Sequence, residues 1–112
     1  MKIAVMGAGS WGTTFAKVIA DSGNPVTVWA RKDEVAHEIN EKHTNSRYLG
    51  DIVLSDLITS TSDPVEAVSD ADVVVLAIPA QSMRDNLSQW KNYLKSDCVL
   101  VSLMKGIEGA SA

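Results

Sequence analysis

Residues 5–12 read Val5-Met6-Gly7-Ala8-Gly9-Ser10-Trp11-Gly12, with glycine at three of the last six positions and an apolar run before them. That run, Lys2 to Met6, is β-prone, too short for a helix and apolar without alternation. It is the pattern of a strand buried on both faces of a parallel sheet. Beyond the glycines, Trp11, Phe15, Val18 and Ile19 recur at helical spacing. The spacing predicts a helix lying on that face, with Ala16 and Ala20 small enough to allow close approach to a sheet. A Gly-x-Gly-x-x-Gly turn between a strand and a helix is the context in which such glycines bind a dinucleotide. Gly7 permits the tight turn, Gly9 carries no side chain to block a diphosphate, and Gly12 lets helix and strand pack closely. The N–H groups at the helix start then face the anion, and the helix dipole adds about 0.3–1 kcal/mol. The alternative is a turn that is glycine-rich without a ligand.

The rest of the chain repeats the alternation. Gly23 and Pro25 end the first helix, and Val26 to Ala30 is the second strand. Glu34 to His43 is a polar helix with Val35 and Ile39 as its apolar stripe, and Thr44 to Asp56, lacking a period, is read as loop with at most one short edge element. Leu57 to Thr61 is a strand, and Asp63-Pro64 starts a short helix containing Val65 and Val68. Val73 to Ile78 is the most apolar strand; Pro79 ends it, and a helix from Gln81 to Leu94 uses Met83, Leu87, Trp90 and Leu94. Val99 to Leu103 is the last strand. Alternating strands and helices imply an α/β fold, a doubly wound, mostly parallel sheet with helices on both faces.

Composition bounds the function. A chain of 112 residues with 46% hydrophobic and 21% charged residues is one soluble domain, residues 1–112. Its net charge of −4 argues against nucleic-acid binding. The single cysteine, Cys98, forms no disulfide framework, fits a reducing compartment and is read as a buried structural thiol. The apolar start is interrupted by glycine too early for a signal peptide, and no apolar run approaches the ~20 residues needed to cross a bilayer. A cytoplasmic protein without membrane contact is expected.

The end of the second strand is where an Asp or Glu ordinarily reads the ribose hydroxyls of NAD. Here Arg31 takes that position, with Lys32 beside it. An arginine there can grip a 2′-phosphate in two places, so NADP(H) is preferred. Asp33 and Glu34 lie close by and keep NAD(H) open, and a solvated helix start remains the plain reading of Lys32.

The segments GAGSWGTTFA, VWARK, HTNSRYL, VVVLAIPAQSMR and VSLMKGIE occur in that order over essentially the whole chain. Together they resemble the N-terminal, Rossmann-like domain of bacterial-type NAD(P)-dependent glycerol-3-phosphate dehydrogenases. The resemblance implies an oxidoreductase that reduces dihydroxyacetone phosphate to sn-glycerol 3-phosphate for phospholipid synthesis, homodimeric at full length. It implies that Ser10 and Trp11 contact the cofactor, that Arg31 and Lys32 lie at the adenosine ribose, and that Pro79 lines the nicotinamide side. Lys105 would meet both cofactor and phosphorylated substrate, a role suited to fixed positive charge beside a phosphate and a developing alkoxide; otherwise it is a surface lysine at a strand end. Tyr48 matches the pattern without an assigned role. The family's helical C-terminal domain, with its general-acid lysine and most of its phosphate site, has no counterpart in these residues. No catalytic residue is therefore assigned, and the chain is expected to bind nucleotide without turning over substrate alone.

Competing readings are the cofactor domain of a related β-hydroxyacid or sugar-acid dehydrogenase, a nucleotide-sensing module without catalysis, and an S-adenosylmethionine-binding domain, in which Arg31-Lys32 would be hard to explain. His37 and His43 do not share a helical face at ligand spacing, so no metal site is expected and both histidines are read as solvent-facing. Asp70 and Asp72 are read as a turn before a strand, Met83, Trp90 and Leu94 as core, and Trp29 as either core or a support for adenine.

Overall fold

The structure, a computed structural model, describes residues 2–78, 88 and 90–102. Five strands form one sheet: β1 (Ile3–Met6), β2 (Val26–Trp29), β3 (Ile58–Thr61), β4 (Val73–Leu76) and β5 (Val99–Ser102). The spatial order is β3-β2-β1-β4-β5, and every pairing is parallel. The ladder runs in one register, Val5 beside Val28 on one side and beside Val75 on the other. From β1 the chain winds outward through β2 and β3, then returns to lay β4 against the other side of β1. Loops leaving β1 and β4 therefore diverge at the carboxyl ends of the strands, which opens a crevice there.

Among the described residues, α1 (Ser10–Asp21), α2 (Asp33–Lys42), the single turn α3 (Ser46–Leu49) and α4 (Pro64–Val68) cover the sheet. Because successive strand residues face opposite ways, β1 contributes to two cores. Val5 packs with Val28, Ile58 and Val75 against Ala16 and Ala20 of α1 and Ile39 of α2. Ala4 and Met6 pack on the other face with Val74, Leu76, Ala67 and Val68 of α4, and Trp90. Fully burying a side chain such as Val5 contributes about 1.5–3 kcal/mol, which is why unbroken apolar runs settle in the middle of the sheet. Trp29 belongs to this second core, and its Nε1 donates to the Ser62 carbonyl at 3.0 Å. That settles its two readings in favour of the core.

Several expectations need correction. The buried residues of α1 are Gly12, Thr13, Ala16 and Ala20, whereas Trp11 is 63% and Val18 61% exposed. Small side chains bring the helix axis close to the sheet, and the larger residues are left at its flanks. Thr44 to Asp56 is not merely loop: it contains α3, a buried Asn45 and a buried Leu54. His43 is not fully solvent-facing; it ends α2 in a left-handed conformation and its Nδ1 is buried. Lys91–Tyr93 is a turn of 3-10 helix and Leu94 is extended, so regular helix ends before Leu94. Strand β5 is apolar yet exposed on Val99, Leu100 and Val101. Cys98 is half-buried against the second core, and burial pushes its thiol pKa up, as an inert thiol requires. Met83 and Leu87 lie outside the described residues.

Two polar ties fix the margins. At the amino ends of the strands, Asp72 accepts the Lys2 backbone N–H at 2.7 Å and pairs with Lys95 Nζ at 2.6 Å. At the outer edge, the Asn40 carboxamide of α2 donates to the Ser60 carbonyl and accepts the Ser60 N–H, both at 2.8 Å.

Candidate nucleotide-binding cleft

The crevice at the carboxyl ends of β1, β2 and β4 is a cleft of about 710 Å³. Its floor is Gly7 to Trp11, one wall is Ala30, Arg31, Lys32 and Val35, another is Arg47 and Tyr48 of α3, and Ala77 and Ile78 close the β4 side.

The three glycines are required for different reasons. Gly7 adopts φ +129°, and a Cβ there would stand 2.5 Å from the Ala77 carbonyl oxygen. At Gly12 a Cβ would fall 2.0 Å from the Gly7 oxygen, so α1 could not start so close to β1. Gly9 is unlike both: φ is −75°, open to any residue, and a Cβ would meet nothing within 4 Å. The fold explains Gly7 and Gly12 and leaves Gly9 without a structural reason. Its missing side chain clears space in front of the loop. Gly9 is also the N-cap of α1, and no side chain caps that end. The backbone N–H groups of Gly9, Ser10, Trp11 and Gly12 have no acceptor among the described residues. A row of bare donors at the positive end of a helix dipole suits an anionic group.

The electrostatics point the same way. The chain is acidic overall, yet among the described residues the cleft lining holds Arg31, Lys32 and Arg47 and no carboxylate. None of these cations is in a salt bridge among the described residues. Asp33 and Glu34 belong to the first turn of α2, where negative charge complements the helix dipole, and neither lines the cleft. The Asp33 carboxylate accepts the Ser62 hydroxyl.

The α3 wall is held from two sides. Glu38 accepts the Thr44 hydroxyl at 2.7 Å and the Ser46 N–H at 2.9 Å, and these bonds hold its carboxyl below the usual carboxylate range. Asn45 Nδ2 donates to the Ala8 carbonyl at 2.8 Å and to Thr13 Oγ1 at 2.9 Å. So supported, α3 presents Arg47 and Tyr48, the guanidinium 5.7 Å from the ring centroid.

Of the residues singled out from sequence, Gly7, Gly9, Ser10, Trp11, Arg31 and Lys32 line this one cleft, with Gly12 beneath it. Pro79 and Lys105 lie outside the described residues. Arg47 was not anticipated as a cleft residue, and Tyr48 had no role. Their segment has no period, and only the tertiary bonds of Asn45 and Glu38 bring it here. A smaller depression of about 470 Å³ runs along β3, where Lys2, His43, Asp56 and Glu66 mix both signs of charge and no glycine loop is present. Among the described residues, no group of histidine, cysteine and carboxylate side chains could hold a metal ion, and no helix is long and apolar enough to cross a membrane.

Residues 2–112 match the family described as NAD-dependent glycerol-3-phosphate dehydrogenase N-terminus. The chain is 58% identical over 108 residues to a glycerol-3-phosphate dehydrogenase [NAD(P)+] of Corynebacterium diphtheriae, covering 96% of this chain and 33% of that protein. It is 50% identical over 112 residues to the protein of that name from Streptomyces griseus, again 33% of its length. Among solved structures, the Saccharomyces cerevisiae glycerol-3-phosphate dehydrogenase superimposes with a TM-score of 0.84 at 34% identity, over 91% of this chain and 33% of that one. The Plasmodium falciparum enzyme does so with the same TM-score at 28% identity, over 91% and 31%. The chain thus spans about a third of the length of the relatives it matches.

Proposed function

The chain belongs to the NAD-dependent glycerol-3-phosphate dehydrogenase N-terminal family, and from that premise we propose that it is the nucleotide-binding part of an enzyme reducing dihydroxyacetone phosphate to sn-glycerol 3-phosphate. The observation that carries the reading is Gly9, the one glycine of its motif that the fold itself does not need. The diphosphate of the dinucleotide lies over Gly9, Ser10 and Trp11, against their free N–H groups. Arg31 and Lys32 receive the 2′-phosphate of NADP(H). The absence of any carboxylate from the lining among the described residues, and the use of Asp33 by Ser62, both favour NADP(H) over NAD(H). Once bound, the nicotinamide supplies the hydride; this chain supplies grip and orientation.

The family likeness supports two further roles in this proposal, Pro79 at the nicotinamide side and Lys105 at cofactor and substrate phosphate. Substrate turnover, homodimer formation, a cytoplasmic setting and a place in glycerophospholipid synthesis belong to the longer protein in this proposal.

The test is a titration of NADPH and NADH followed by quenching of the exposed Trp11. Arg31→Ala should weaken NADPH by about 1.5–3 kcal/mol, the worth of charge-assisted hydrogen bonds, and NADH much less. An equal loss for both nucleotides would remove the 2′-phosphate assignment.

A further inference from the structure

We infer that Asn45 is a positioning residue for the nucleotide diphosphate: by holding the Ala8 carbonyl behind the glycine loop, it turns the Gly9 N–H into the cleft. The inference rests on the dinucleotide reading above and extends it to a residue that does not line the site.

Asn45 is the N-cap of α3, a position where an asparagine side chain ordinarily accepts a bond from its own helix. It makes no such bond: the Tyr48 N–H goes to the Asn45 backbone carbonyl, and Glu38 accepts the Ser46 N–H. The freed side chain reaches 37 residues back along the chain to Ala8 and 32 back to Thr13. Asn45 and Thr13 are both fully buried.

The peptide between Ala8 and Gly9 is trans, since no cis bond occurs among the described residues. Its C=O and N–H therefore point in opposite directions. Asn45 is fully buried and does not line the cleft, so its bond draws the Ala8 oxygen toward the interior. The Gly9 N–H, on the opposite side of that peptide, is left without an acceptor among the described residues. The second Nδ2 bond anchors the same carboxamide to α1 through Thr13, whose own N–H bonds the Gly9 carbonyl at 3.0 Å. Loop and helix start are thus set by one group.

Packing alone does not account for the residue. Asn45 Oδ1 is buried without a partner among the described residues, an unfavourable state that an apolar side chain of similar size would avoid. What the position gains from asparagine is its pair of donors. An aspartate has the same shape and neither donor.

The experiment compares two probes, NADPH and adenosine 2′-monophosphate, the second lacking the diphosphate. Binding is measured by calorimetry on wild type, Asn45→Asp, Thr13→Val and Thr13→Ser, with thermal melts alongside. Asn45→Asp should lose NADPH affinity at least tenfold and adenosine 2′-monophosphate affinity less than threefold. Thr13→Val should lose NADPH severalfold, while Thr13→Ser, which keeps the acceptor, binds as wild type does. Should Asn45→Asp fail to fold, the two threonine variants decide. Equal losses for both probes, or unchanged NADPH binding in Thr13→Val, would overturn the inference and leave the nucleotide reading standing. A wild-type chain that binds neither probe would overturn both.

Discussion

Replacing Gly9 and Gly12 separately by alanine should give opposite phenotypes. At Gly12 the new methyl would stand 2.0 Å from the Gly7 carbonyl oxygen, against an ordinary carbon–oxygen approach of about 3.3–3.6 Å. The start of α1 must then retreat by roughly 1.3 Å from a neighbour that is itself backbone. Overpacking of this kind costs about 1–3 kcal/mol, and a rigid neighbour argues for the upper end. Better helix propensity returns at most ~1 kcal/mol. A net loss of about 2 kcal/mol corresponds to a fall of roughly 8–15 °C in Tm for a domain of this size. Gly9→Ala meets no atom within 4 Å and keeps an allowed backbone. Its N-cap penalty of up to ~1 kcal/mol is offset by about 0.4–1 kcal/mol from a less flexible unfolded chain, so stability should hardly change. The same methyl stands in front of the loop N–H groups, and losing one charge-assisted bond there costs about 1.5–3 kcal/mol. NADPH binding should weaken about 10–150-fold. Urea unfolding followed by circular dichroism reads the first effect, and fluorescence titration the second. A folded Gly9→Ala protein that binds NADPH as tightly as wild type would refute the diphosphate assignment, and a fully stable Gly12→Ala would refute the packing argument.

Two further outcomes concern the scaffold. Trp29→Phe keeps an aromatic in the core but loses the bond to the Ser62 carbonyl; a destabilisation of about 1–2 kcal/mol is expected by urea unfolding, and no change would show that bond to be idle. The Lys95 ammonium and the Lys2 N–H hold the Asp72 carboxyl below its usual range, and Asp72 in turn raises Lys95. The stabilisation from Asp72 is complete above the unfolded aspartate value of about 4 and disappears as pH falls through the lower folded one. That from Lys95 is complete below its unfolded value of about 10.4 and is lost as pH rises through the higher folded one. The stability gap between wild type and Asp72→Asn should therefore be widest between those limits, close at the acid end and narrow at the alkaline end, where the Lys2 N–H bond to Asp72 persists; a gap that ignores pH would contradict the pairing.

How far the sequence could be read depended on the range of the forces involved. The glycine turn was legible because Gly7 answers to its own dihedral and Gly12 to a contact five residues away. Strand β4 was legible because Val73 to Leu76 is apolar on both faces and only the middle of a sheet accommodates that. At α1 the small Ala16 and Ala20 make the close contact that their size suggests and Phe15 and Ile19 pack beside them, but hydrophobic spacing alone also singled out Trp11 and Val18, which are exposed. The α3 wall was illegible because its position depends on Asn45 reaching the glycine loop and Glu38 reaching Thr44 and Ser46. Nothing in the local pattern of residues 44–49 records either partner.

The Asn40 carboxamide imitates a peptide group. By answering both outward groups of Ser60, it acts as a one-residue surrogate strand and takes the pairing site a foreign chain would need at that border. The opposite border, β5, has no such stopper among the described residues, and its valines and leucine stand in the open. Among the described residues the two borders of the sheet therefore differ: the outward peptide groups of Ser60 on β3 are already taken, and those of β5 meet no such side chain.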